Sequence, residues 1–135
     1  MATYTKFQPF VEHLGSEIHD FDNDQLVIAL SATAPTNTWA TLSQVSQIDY
    51  TNLSSRNVTT SDWSQTSGTA KLTCADLTLT ASGAVATFRY VILYNDTSAS
   101  DNLIAYWDRG ADLSMVSGDD FVVDFDGTNG VLTIA

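Results

Sequence analysis

The sequence predicts an all-β, antiparallel sandwich of jelly-roll or immunoglobulin-like type, and three observations predict it. Fourteen of the 16 acidic residues are Asp, Ser and Thr make up about a quarter of the chain, and only five residues are basic. Asp, Ser and Thr favour turns, caps and strand surfaces, whereas the scarce Glu, Lys and Arg are the usual covering of a helix. Turn signals recur at roughly ten-residue spacing between short apolar stretches. The 135 residues, 44% of them hydrophobic, match one domain spanning 1–135 with enough apolar material for a core.

Residues 6–14, Lys6 to Leu14, read as extended. Pro9 has no N–H for a ladder, so residues 1–14 are expected to form an edge strand or an arm reaching onto a neighbour. Asp20 to Asp24 is a turn, and Leu26 to Leu30 is a continuous apolar run suited to a strand covered on both faces. One short helix is expected near 41–48, where Thr41 can cap a turn or two and Leu42, Val45 and Ile48 fall on one side. Lys71 to Ala81 alternates first as Leu72 and Cys74, then as Leu77 and Leu79; this parity change near Ala75–Asp76 requires a bulge or a switch between sheets.

Further on, Phe88, Tyr90, Ile92 and Tyr94 are expected on one strand face, with Val91 and Leu93 opposite. The polar loop Asn95 to Asn102 then leads into Leu103 to Trp107 and makes an antiparallel hairpin. Leu113 to Val116, Phe121 to Phe125 and Val131 to Ile134 read as the last three strands. They are joined by turns containing Gly118, Asp126–Gly127 and Asn129–Gly130, where positive φ is allowed.

A formal charge of −11 repels phosphate backbones and anionic membrane surfaces, and the five cations are scattered along the chain, so neither nucleic acid nor membrane is expected as a partner. Met1 to Lys6 lacks the pattern of a signal peptide, which leads to the expectation of a soluble chain made in a cytoplasm. Cys74 is the only cysteine; it lies on an apolar strand face and is expected to be buried and inert.

Catalysis is not expected. There is no Gly-x-Ser-x-Gly, and only His13 and His19 are available as a histidine base. On an extended chain these two would stand about 20 Å apart, too far to share a metal. Asp20-x-Asp22-Asn23-Asp24 and Asp124-x-Asp126-Gly127 place hard oxygen ligands on flexible turns and are candidates for calcium; neither has the register or terminal Glu of an EF-hand, and the alternative is that Asp and Asn stand there as turn formers. No metal or cofactor is expected. Trp39 and Trp63, in polar surroundings, are candidates for a glycan-stacking platform; Trp107 lies in an apolar run that reads as core.

Three segments, Phe88 to Thr97, Leu103 to Asp108 and Gly118 to Phe125, together with the terminal Gly130 to Ile134 and the opening Lys6 to Leu14 and Leu26 to Thr36, resemble a group of small tailed-bacteriophage virion proteins. The resemblance implies a non-enzymatic structural component located in the virion and made in the host cytoplasm. In kind the chain is similar to capsid decoration or cement proteins, which bind and stabilise the major capsid shell. Such a protein is expected to be a homo-oligomer, with a trimer favoured, and to contact the major capsid protein or another virion protein. Phe7, Pro9, Phe10 and Val11 are the candidate partner-binding residues. The alternative is a receptor- or glycan-binding domain of a tail or head fibre.

Overall fold

The computed structural model describes residues 2–135 and shows an all-β antiparallel architecture around one core. Its strands are β1 (Thr3–Lys6), β2 (Leu26–Ser31), β3 (Asn57–Val58), β4 (Thr60–Thr66), β5 (Thr69–Cys74), β6 (Leu77–Thr80), β7 (Val85–Asn95), β8 (Asn102–Met115), β9 (Asp120–Val123) and β10 (Leu132–Ile134); the helix α1 is Pro9–Gly15. The main sheet has the order β1-β8-β7-β2-β3, and two smaller sheets, β10-β5-β4 and β6-β9, complete the structure.

Between β7 and the short β3 lies β2, whose six residues are all buried. Each Leu or Ile removed from water there contributes about 1.5–3 kcal/mol, which explains the unbroken apolar run. Register places Tyr4, Trp107, Val91 and Leu30 in one row across the sheet, and Lys6, Ala105, Leu93 and Ile28 in another. Trp107 meets Phe125 edge-on, and Phe88 meets Phe121 of β9, so the smaller sheets supply a second layer. Leu72, Leu79 and Val123 carry their strands into the same core.

Because β3 pairs with only two residues of β2, an irregular segment closes the rest of that edge. The Leu30 N–H donates to Tyr50 Oη at 2.9 Å, and the Leu30 carbonyl accepts from Ile48 N–H. Arg56 donates to the Ile28 carbonyl while its guanidinium lies 3.7 Å over the Tyr50 ring. These bonds satisfy polar groups of a strand that burial has cut off from water.

The parity change at Ala75–Asp76 is a switch between sheets, since β5 pairs with β4 and β10 whereas β6 pairs with β9. The hairpin across Asn95 to Asn102 is present as β7 and β8. Four expectations are corrected. Residues 9–15 are helical and not extended, because proline at the first helical turn loses no bond that the helix would have made. The helix expected at 41–48 is a single 3₁₀ turn, Leu42–Gln44, closed by a capping box between Thr41 and Gln44. The expected separate strand from Leu113 is the far end of β8, which runs unbroken to Met115. A register irregularity between Phe88 and Tyr90 breaks the alternation, leaving Phe88 fully buried and Tyr90 only partly so.

Candidate functional site: a groove between two sheet edges

Both β1 and β10 are terminal strands of their sheets, and each has one edge without a ladder partner. They flank a groove of about 550 Å³, and α1 forms one wall with Phe10, Val11 and Leu14. Across from the helix, Val131, Leu132 and Ile134 line the C-terminal side. Of the five exposed large apolar side chains among the described residues, Tyr4, Val11 and Ile134 line this one groove. Its only charged lining residue is Lys6, and no Asp or Glu side chain lines it among the described residues, although the chain carries 16 of them.

Local chemistry explains each wall. Phe10 and Leu14 are four apart, so α1 turns both inward; Phe10 is 2% exposed, whereas Val11, one residue on, is 55% exposed. Gly130 brings β10 in. Its φ is +83°, and a Cβ there would stand 2.7 Å from the Leu72 carbonyl oxygen. Only glycine allows that approach, which seats the Val131 N–H on the same carbonyl at 2.7 Å.

The candidate partner-binding residues are divided by the fold. Phe10 and Val11 line the groove. Phe7 is fully buried against Tyr106, with its N–H donating to the Ile104 carbonyl, so it closes the chain's own core and is not an exposed arm. Pro9 starts the helix. Tyr4, Leu14 and the β10 residues were not legible as site residues: strand alternation marks Val131 to Ile134 as a strand, but nothing in the sequence joins the two ends of the chain.

A second, shallower cleft of about 550 Å³ adjoins the groove at Leu14 and Ile134 and is lined also by Glu17, His19, Asp20, Phe21 and Trp63. Trp63 is half-buried and meets Phe21 edge-on, with ring centres 5.0 Å apart. Trp39 packs against the core, on the 36–45 segment, and does not line this cleft.

The histidines are close, against the expectation of about 20 Å on an extended chain: α1 and the turn after it bring the rings to 6.1 Å. His19 is pushed down to about 4, by burial first and by His13 second, with Asp24 acting the other way. Among the described residues no three His, Cys, Asp or Glu side chains are placed to hold a metal ion together. The Asp20 carboxylate instead accepts from Asp22 N–H and the Asn23 amide, which holds it below its usual range. Burial pushes the Cys74 thiol up to about 11, which keeps it a thiol at neutral pH. Among the described residues no helix is long and apolar enough to cross a membrane. No protein-family model, curated protein or solved structure matches the chain.

Proposed function

We propose that this chain is a non-enzymatic bacteriophage virion structural protein of the capsid-decoration type, and that it attaches to the shell through the groove between β1 and β10. One observation carries the proposal: among the described residues, three of the five exposed large apolar side chains collect beside two open strand edges, in an acid-free window of a chain with net charge −11. An open edge offers main-chain hydrogen bonds, and the neighbouring apolar wall takes alternate side chains, the requirements for adding a strand from a partner. The acidic surroundings attract a basic partner surface, while the groove receives an extended apolar segment of it. Repetition of one such contact over a shell, with oligomerisation of the chain, multiplies a weak interface by avidity.

The resemblance to small virion proteins supports the same reading and supplies the partner class, the major capsid protein or a neighbouring virion protein. The experiment is binding of the purified chain to undecorated capsids, with its mass in solution measured by light scattering. Saturation at a fixed copy number per capsomer, with a raised melting temperature of the shell, is the expected outcome; no binding at any protein concentration would overturn it.

A second reading has its own observation. Trp63 lies in a cleft with the Glu17 and Asp20 carboxylates, an aromatic face beside acceptors for sugar hydroxyls, which favours a glycan-binding fibre domain. Glycan-array binding that disappears in Trp63→Ala, without shell binding, would decide for this alternative.

A further inference from the structure

We propose that His13 and His19 form an acid-sensitive latch that holds α1 in the wall of the groove at neutral pH and releases it on acidification. The proposal deepens the attachment reading above and rests on it, since α1 supplies Phe10, Val11 and Leu14 to that groove.

Asn95 is fully buried. Its Oδ1 accepts from the Thr97 and Ser98 N–H groups at 3.0 and 3.2 Å, so the atom turned the other way is the amide nitrogen. That nitrogen donates to Asp24 Oδ2 and to the Ile18 carbonyl, and stands 3.1 Å from His19 Nδ1. Its two hydrogens are shared among these three neighbours, and an amide nitrogen has no lone pair to offer, so a proton on His19 Nδ1 would find no acceptor there. Neutral His19 therefore carries its proton on Nε2. Both His19 Nε2 and His13 Nδ1 are buried and have no hydrogen-bond partner.

A proton arriving on His19 has no favourable place to go. It would occupy Nδ1 and point an N–H at the Asn95 amide hydrogens. The ring, whose buried Nε2–H already lacks an acceptor, would then carry a second unpaired donor and a positive charge beside the His13 ring.

The surroundings do not reverse this. Asp24 favours the charged form but is engaged by the Asn95 amide and by Asp20 N–H. Glu17 and Asp20 line the open side of the cleft, and Glu12 is the remaining acid of α1. The packed neighbours are uncharged: Phe10 from α1, Phe21 stacked on His19 with planes 8° apart, Trp63 from β4 beyond it, and Asn95 from β7. A histidine harder to protonate folded than unfolded makes stability fall as pH falls. The latch is thus intact at neutral pH, weakens below the ordinary histidine value of about 6.5, and is fully opposed near the folded value of about 4.

The test is an NMR titration of the whole chain, reading both imidazoles and the amide protection of residues 9–24, from about pH 7 to about pH 4. His19 is expected to titrate well below 6.5, and protection factors across α1 to fall about tenfold or more while those of residues 91–95 hold. Attachment to undecorated capsids should fall over the same interval. His19→Gln, whose amide oxygen can accept from Asn95 and takes no proton, should keep both protection and attachment; His19→Asn, whose amide reaches the Nδ1 position, provides the same comparison if that variant does not fold. Titration of both rings near 6.5 with unchanged protection, or loss of protection in 91–95 together with α1, would overturn the latch. If the chain attaches to capsids at no pH, the attachment reading falls, and the titration still decides the latch by itself.

Discussion

The centre of the main sheet and the side built from β1, α1 and β10 carry opposite kinds of order. In the centre, β2, residues 91–95 of β7 and residues 102–105 of β8 are buried on both faces, and side chains such as Tyr50 and Arg56 satisfy backbone groups at the edge of β2. On the groove side, two strand edges are open, three large apolar side chains face water, and two histidine nitrogens are buried without partners. Stability and binding therefore reside in different places: the first region holds the fold by burial, and the second keeps groups unpaired that a partner or a proton can address.

Truncation in the centre gives the largest expected effect. Leu93→Ala, at a fully buried position between β2 and β8, should cost about 2–5 kcal/mol in urea unfolding. Leu14→Ala, half-buried in the groove wall, should cost less than half as much. Equal costs would break the comparison, because they would mean that the groove side is packed as tightly as the centre.

Next comes the joint that places β10. Gly130→Ala puts a methyl group 2.7 Å from the Leu72 carbonyl oxygen at a φ of +83°, so the chain there must shift. A loss of about 1–3 kcal/mol is expected, with reduced amide protection at Val131 and nearby β10. Full stability in the variant would show that β10 is held by its ladder to β5 and not by this close approach.

How much of this was legible in the sequence follows the same division. The centre was: the apolar run of Leu26 to Leu30 needs no partner to be recognised as a doubly covered strand, and the parity change at Ala75–Asp76 requires the switch of sheets that β5 and β6 make. The groove side was not. Pro9 reads equally as the breaker of a strand and as the first residue of a helix, and Phe10, His13 and Leu14, spaced three and four apart, were the signal for the helix. Once residues 9–15 are helical, the histidines change from distant to adjacent, so one local misreading conceals the latch and one wall of the groove. The other wall comes from residues more than a hundred positions away, and no local pattern records that the two chain ends meet.

A smaller effect is expected from the ion pair of Arg89 and Asp108, whose two hydrogen bonds of 2.7 and 2.9 Å join β7 to β8. Their side chains are 36% and 30% exposed, so solvent and salt screen the attraction. Arg89 holds the Asp108 carboxyl below its usual value, and the contribution is present above the ordinary aspartate range and lost as pH falls through the lowered one. Asp108→Asn should barely move the urea midpoint at neutral pH and should flatten the acid limb of the stability profile. A large loss at neutral pH would mean that the pair anchors the hairpin in a way its exposure does not suggest.

Val11→Asp should have the smallest effect on the fold and separates the two regions most sharply. Val11 is 55% exposed on α1, so the substitution removes little buried area and leaves no core group unsatisfied; stability should stay within about 0.5 kcal/mol of the parent chain. In the groove the same change puts a carboxylate into an apolar wall whose only charge is Lys6, where an incoming apolar segment would have to desolvate it. Capsid attachment should therefore be lost while the melting temperature, and any glycan binding through the Trp63 cleft, are kept. Attachment that survives Val11→Asp at parental affinity would move the contact away from this groove, even if the chain decorates shells, and would leave the open edges of β1 and β10 without an assigned partner.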